Sequence, residues 1–559
     1  MRWSFRFPAL FFLFWACASC VPAETLRLHQ ERYAKFQTLY DAQIEKLATW
    51  CEEQGLTQEA KETRALNHTP RAEDQLFVAM LPQEVQSPEL AEASEKSVVS
   101  PGRASKKSAS GKPSRTSSHA SAKEKNGTPS KARGSESDPV SGSENVPDGN
   151  SEKSPAAQWQ TRIGKLRLQA SSQLFRLACG AMEDGHSTYA FELLMRALEE
   201  NPDYAPARRI LGYENVDGQW LSPFEKSQLR TMVHHPQFGW LPRKFVERYE
   251  NGERFANGRW VTAKEDAAIH FEIENGWAVE TPHFTIVTNH SLPAAVKIGE
   301  EVEVLYRVWK QLFLRYFATD SQLKALFEGR KTGSVGQRPG SGTDGRHRVF
   351  FFRNQENYQQ YLTPRYPMVA QSSGLYLLED RASYFFAGEK FDRATLLHEV
   401  THQLFSEVQR TSPNVAQSPN FWMIEGIATY MESLHDQDRY HIVGGFSTPR
   451  MLAARLRFTR DHFYVPLKEL SAFDSSQFQA HPEMVKLYSE SSGLMQFLLH
   501  ANDGQYRDAV SDLLREIYSG QATPNSIPRF LGQSFEELDS EYREFISRNP
   551  KELEQWEFD

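Results

Sequence analysis

The stretch that decides the fold is Leu397-His398-Glu399-Val400-Thr401-His402-Gln403-Leu404, a His-Glu-x-x-His pattern inside an apolar, helix-favouring run. On an α-helix, residues four apart lie one above the other on the same face. His398 and His402 can therefore aim a ring nitrogen at one point, and a zinc ion takes nitrogen ligands at about 2.0–2.1 Å. Glu399 lies one position round the helix. It points beside the metal, where a general base for a metal-activated water would stand. With 17 His in the chain, chance gives roughly 0.04 such matches, so the pattern needs support from its neighbours. The plain alternative is a helix carrying two surface histidines.

Two neighbours weaken that alternative. Leu397, Val400, Thr401 and Leu404 recur at a helical spacing, so part of this helix is buried. Further on, Phe421-Trp422-Met423-Ile424-Glu425-Gly426-Ile427-Ala428-Thr429-Tyr430-Met431-Glu432 is a second helix-like run with one carboxylate set among apolar residues. A lone Glu in an apolar helix is costly unless it is paired or coordinates a metal. The interval from His402 to Glu425 is long enough for a turn and a returning helix. His398, His402 and Glu425 are thus nominated as Zn2+ ligands.

His-Glu-x-x-His followed by Trp422-x-x-Glu425-Gly426-x-Ala428 resembles the gluzincin clan of zinc metallopeptidases. More narrowly, residues 277–505 are similar to a bacterial family of predicted secreted gluzincins known as a domain of unknown function. The resemblance implies an α+β fold with a zincin-like catalytic domain: a small mixed sheet with the active-site helix, then a helical C-terminal subdomain. It implies His398, His402 and Glu425 as ligands and Glu399 as catalytic base. In related peptidases a Tyr beginning a later helix reaches the metal site and stabilises the oxyanion; Tyr488, in Tyr488-Ser489-Glu490-Ser491-Ser492-Gly493, matches that position. A packing role is the alternative for Tyr488, and His481 is the rival proton donor. Thr429 stands where thermolysin-like enzymes carry an Asp that orients a ligand histidine; Glu432 and Glu407 are candidates for that role here.

At 559 residues the chain is long enough for two or more domains. A net charge of −8, spread along the chain, gives no basic patch for nucleic acid. Arg2 and Arg6 before the apolar run Ala9–Ala16 read as a signal segment over residues 1–23, too short to span a membrane, so the protein is expected to be exported to the periplasm, the cell envelope or the exterior. Cys17 or Cys20 could carry a lipid anchor. The other two of the 4 cysteines, Cys51 and Cys179, could pair but make no disulfide framework.

Residues 24–93 read as a helical arm, with Leu26, Tyr33, Phe36, Tyr40, Ile44 and Leu47 in helical register and helix expected through 81. Residues 94–155 are a low-complexity Ser/Lys/Gly/Pro/Ala linker that lacks apolar residues to bury and is expected to stay disordered. Its basic half, 101–133, precedes an acidic half, 134–152; it reads as a spacer, with association to an anionic envelope polymer as the functional alternative. In 156–212, Tyr189–Leu198 and Asn201–Arg208 resemble a single tetratricopeptide helix pair, read as a packing module and less readily as a peptide groove. In 213–275, Asp217-Gly218-Gln219-Trp220-Leu221-Ser222-Pro223-Phe224-Glu225 is echoed by Asn257-Gly258-Arg259-Trp260-Val261-Thr262-Ala263-Lys264-Glu265. Each copy spells a tight turn, a short strand and a capping box that starts a helix. Trp220 and Trp260 read as core plugs.

Residues 276–559 form the expected metallopeptidase domain. His283–Asn289 and Arg348–Phe352 alternate as strands around a helix bearing Ala295, Ile298, Val302, Leu305, Val308, Trp309 and Leu312. Gly340, Gly342 and Gly345 precede a strand, so the Gly-rich segment 329–347 reads as a mobile loop and not a dinucleotide site. Gly374–Leu378 and Ala382–Phe386 read as a hairpin beside the active-site helix, which starts at the N-cap Asp392. Gluzincins pair an extended substrate with the sheet edge there, so Gly374, Leu375 and Tyr376 are the expected substrate-binding residues. His435, His441, His462 and His500 read as surface or cap residues. The expected function is zinc-dependent hydrolysis of peptide (amide) bonds in a protein or peptide substrate. The rivals are a non-catalytic envelope scaffold with a structural zinc, and a cell-wall peptide hydrolase. An intact Glu399 argues against the scaffold.

Overall fold

The computed structural model describes residues 23–66, 74–81, 154–330, 345–367, 369, 372–389 and 391–548. The fold is α+β, mostly helical with several small sheets. Residues 1–22 of the expected signal segment, Cys17 and Cys20 among them, nearly all of the expected linker and most of the Gly-rich segment lie outside the described residues. Among the described residues no helix is long and apolar enough to cross a membrane.

A five-stranded sheet organises the region of the His-Glu-x-x-His stretch. Its order is Gly374–Leu377, Ala382–Phe386, His347–Phe352, Phe284–Thr288, Trp277–Glu280. The three inner strands are parallel and the two outer ones antiparallel to their neighbours. Phe, Ile and Val fill the inner strands, and every residue of Ala382–Phe386 is buried, as a central strand covered on both faces requires. Leu292–Leu312, capped by the Ser291 hydroxyl, buries its apolar residues between the sheet, the helix Arg393–Val408 and the helix Ser187–Glu200. Gly374–Leu377 is left at the edge, against the helix Arg393–Val408 that carries the motif. Gly374 is required there: a Cβ would stand 2.6 Å from the Phe385 ring and 3.0 Å from Thr395 Cγ2.

Below the motif helix lie Phe421–Met431, which carries Glu425, and Met484–Gly504, which carries Tyr488 near its start. The two pack closely because Gly426 has no side chain; a Cβ there would come within 2.8 Å of Ser491 O. Pro449–Thr459, Arg507–Tyr518 and Phe535–Ile546 complete the C-terminal half.

Of the upstream segments, residues 76–79 and the paired helices after residue 170 join the main core, while the arm helices bury Tyr40, Ile44, Leu47 and Cys51 in a smaller cluster with Leu166 and Ala170. Ala23–Glu53 and Thr57–Arg64 are helices, but Gln75–Ala79 is a strand, which corrects the helical reading of residues 24–81. It pairs antiparallel with Tyr440–Gly444, itself paired with His435–Gln437. Leu76-Phe77-Val78 has strand character of its own, and the remote partner decides the outcome. Pro155–Glu183 and Ser187–Glu200 pack as paired helices, with the arm helix along the first of them; the expected pair Tyr189–Leu198 and Asn201–Arg208 instead falls on the second of these helices and on the turn into the short helix Ala205–Ile210. Cys51 and Cys179 are both free thiols, so the two do not pair.

The Trp module holds three hairpins where the sequence shows two. Glu214–Val216/Gln219–Leu221 and Glu253–Ala256/Arg259–Thr262 turn at Asp217-Gly218 and Asn257-Gly258, all four at positive φ, and both lead into the expected capping boxes. Between them Met232–His235/Gly239–Pro242 repeats the hairpin, with Trp240 midway between Trp220 and Trp260. It lacks the Asp-Gly or Asn-Gly turn that marks the outer two, and turns instead through residues 236–238, with Gly239 at φ 69° opening the second strand. Trp220 is buried, as a core plug must be, and its indole N–H donates to Asp203.

Candidate metal centre

Asp392 starts the motif helix, its side chain accepting the Ala394 N–H at 3.1 Å. Leu396, Leu397, Val400 and Leu404 bury one face of that helix in the core. The opposite face carries His398, Glu399 and His402, and the returning helix delivers Glu425 to the same point. The two Nε2 atoms stand 3.1 Å apart; Glu425 Oε2 is 3.5 Å from that of His398 and 3.8 Å from that of His402. Three ligands of one tetrahedral zinc at its usual bond lengths would be separated by about 3.3 Å. Among the described residues this is the one cluster of three or more His, Cys, Asp or Glu side chains close enough to share an ion. The donor set and its spacing fit zinc.

The surroundings fit a cation as well. His398 Nδ1 donates to Glu432 Oε1 at 2.8 Å, so Nε2, turned to the centre, is the nitrogen a metal would take in exchange for its proton. Arg450 holds the same carboxylate with two nitrogens, at 2.7 and 3.1 Å. Three carboxylates, of Glu399, Glu425 and Glu432, therefore meet two imidazoles. Burial works against charge on His398, yet hydrogen bonds to Glu425 and Glu432 overcome it and push the ring up to about 10. Burial favours the uncharged acid in Glu425, and the His398 hydrogen bond outweighs it and holds the carboxyl below its ordinary value. Burial pushes His402 down to about 4, so it stays neutral with a lone pair to give. Burial also pushes Glu399 up to about 7, with the His398 charge opposing.

Glu399 is held from the sheet. Its Oε2 accepts the Tyr376 backbone N–H at 2.8 Å. That bond fixes the phase of the edge strand: Tyr376 and Gly374 present their backbone groups outward, while Leu375 and Leu377 bond to Ala382–Phe386. Of the three expected substrate residues, Tyr376 thus has its N–H committed to Glu399, and its ring is largely buried, near Ser406 and Glu407. Tyr488 reaches the centre. Its hydroxyl lies on the Glu425 carboxylate, its ring packs edge-on to Phe478 at 5.3 Å, and burial, then Glu425 and Glu399, keep the phenol protonated.

Several expected partners are elsewhere. Glu407 does not orient a ligand histidine. It sits on the buried side of the motif helix, accepting from His347 Nδ1 at 2.7 Å and from Gln403 at 3.1 Å. Thr429 bonds back to the Glu425 and Gly426 carbonyls of its own helix. His481 accepts the Glu483 N–H and lies against Phe473. His441 and His500, expected as surface or cap residues, are buried on Asp436 and Tyr430. Arg450 escaped the sequence reading, since no spacing links it to the motif; only the fold brings its helix to Glu432. No family model and no curated protein matches the chain.

Proposed function

We propose that this chain is a zinc-dependent hydrolase of peptide (amide) bonds with a gluzincin-like, zincin-type catalytic domain. The observation that carries the reading is the convergence of His398, His402 and Glu425 with Glu399 beside them and Glu432 behind His398. A zinc ion held by the three would supply Lewis acidity to the scissile carbonyl and the attacking water. Glu399, beside the three, takes a proton from that water and hands it to the leaving nitrogen. The Tyr376 N–H holds the Glu399 carboxylate in place between the two transfers. Tyr488, protonated and in contact with Glu425, is the donor for the developing oxyanion. The outward backbone groups of Gly374, and the Tyr376 carbonyl, offer an extended substrate a strand to pair with.

The test is a cleavage profile of a denatured proteome and of peptidoglycan fragments by the wild type and by Glu399→Gln. The wild type should cut peptides. The variant should retain zinc and lose rate by about 10²–10⁴-fold. Equal cleavage by both proteins would overturn the assignment of Glu399. Cleavage of peptidoglycan fragments alone would move the substrate to the cell wall.

A further inference from the structure

The strand Gln75–Ala79 reaches its partner from the far side of the linker, and it lands on the segment that supports the metal centre. Asp74, at its start, accepts the Phe446 N–H on Oδ2 at 2.6 Å and the Gln496 side chain on its carbonyl. Gln75 pairs with Gly444. Gly444 sits at φ 87°, and a Cβ there would come within 2.9 Å of Asp74 O and 2.8 Å of His500 Nε2, so the backbone approach needs glycine. The Gly444 N–H in turn donates to Ser433 Oγ at 2.7 Å, and Ser433 follows Glu432. Phe446 leads within one turn of chain to the helix Pro449–Thr459, whose second residue is Arg450. Both supports of Glu432, the Ser433 turn and the Arg450 guanidinium, are therefore fastened to the arm strand. Glu432 holds His398.

We propose that the Gln75–Ala79 strand, with Asp74, is a positioning element for the metal centre: it fixes Gly444–Arg450, which fixes Glu432 and through it the ring of His398. This rests on the reading that the centre binds zinc. It gives residues 74–79 a part in metal retention that their distance from the motif in sequence conceals. Loss of the strand loosens the centre without touching a ligand.

A double-mutant cycle on the full chain tests it, with zinc affinity measured by chelator competition and the visible spectrum of the cobalt(II)-substituted protein as the geometric readout. Arg450→Ala should weaken zinc binding about 10–100-fold, the range for a lost outer partner, and Asp74→Ala about tenfold, at the low end of that range. The double variant should bind more tightly than the sum of the two single effects predicts, because Asp74 acts in part through Arg450. Asp74→Asn, which keeps an oxygen for the Phe446 N–H, should restore affinity and spectrum. If Asp74→Ala does not fold, Phe77→Ala takes its place in the cycle; it thins the edge-on contact with Tyr440 (5.7 Å) and leaves the ladder. Full additivity, or an unchanged affinity in a folded Asp74→Ala or Phe77→Ala protein, would overturn the proposal alone. A wild type that binds no zinc would overturn the proposed function and this inference together.

Discussion

Glu432 shows how much one residue settles at this centre. Its carboxylate takes the Nδ1 proton of His398, which decides the nitrogen left for a metal, and Arg450 keeps the carboxylate turned that way. Glu432→Ala should weaken zinc binding about 10–100-fold while leaving the fold in place, as read by chelator competition and circular dichroism. Affinity equal to wild type would show that His398 needs no such partner. The His398, His402 and Glu425 cluster was legible in the sequence because His398 and His402 are one helical turn apart and Glu425 is the carboxylate set among the apolar residues of the returning helix. Arg450 was not legible, because the contact between its helix and Glu432 is tertiary. Glu407 was misassigned for the same reason. Its position past His402 turns it to the buried face, where His347 waits on a strand that spacing does not reveal.

At the scale of elements, the helix Met484–Gly504 carries an unusual burden. It brings Tyr488 to the centre and also buries Glu490, 1 % exposed, beside the Tyr542 hydroxyl. Burial pushes Glu490 up to about 8 from its ordinary 4.5, with Tyr542 opposing. The folded chain thus holds a proton that the unfolded chain releases at lower pH. The stability this proton confers is full below the ordinary value and is lost as pH rises toward 8, at about 1.4 kcal/mol per pH unit. Glu490→Gln should flatten that slope and exceed the wild type above it, measured by urea unfolding at a series of pH values; an unchanged slope would contradict the assignment. Gly426→Ala tests the contact on the other side of this helix. The added methyl meets a backbone carbonyl that cannot rotate away, and the cost should be about 1–3 kcal/mol in the same assay.

Elements whose signals are local were readable. The hairpin before the motif, the Asp392 cap and both capping boxes stand where their residues indicate. The Trp240 hairpin was missed because its turn lacks the Asp-Gly or Asn-Gly signal, although the even recurrence of Trp220, Trp240 and Trp260 could have shown it. The Gln75–Ala79 strand was missed because its partner lies hundreds of residues away.

On the scale of the molecule, one apolar core runs from the arm strand through the paired helices to the last helix. The buried Arg315 joins these parts, holding Asp512 with two nitrogens at 2.8 and 3.0 Å and facing the Gly185 carbonyl of the paired helices. Arg315→Ala would strand a carboxylate that is 3 % exposed, with Arg515 as its remaining partner, and should cost about 3 kcal/mol. Scanning calorimetry should show residues 154–548 unfolding in one transition, which the variant lowers as a whole. Two separated transitions would show that the helix pair and the metal domain are independent units.

The measurement that bears most directly on the whole account is the zinc content of the purified full-length protein by elemental analysis, beside Glu399→Gln and His402→Ala. One zinc per chain is expected in the wild type and in Glu399→Gln, and its loss in His402→Ala. A wild type without zinc, or a His402→Ala protein that keeps it, would contradict the claim that His398, His402 and Glu425 form a metal centre.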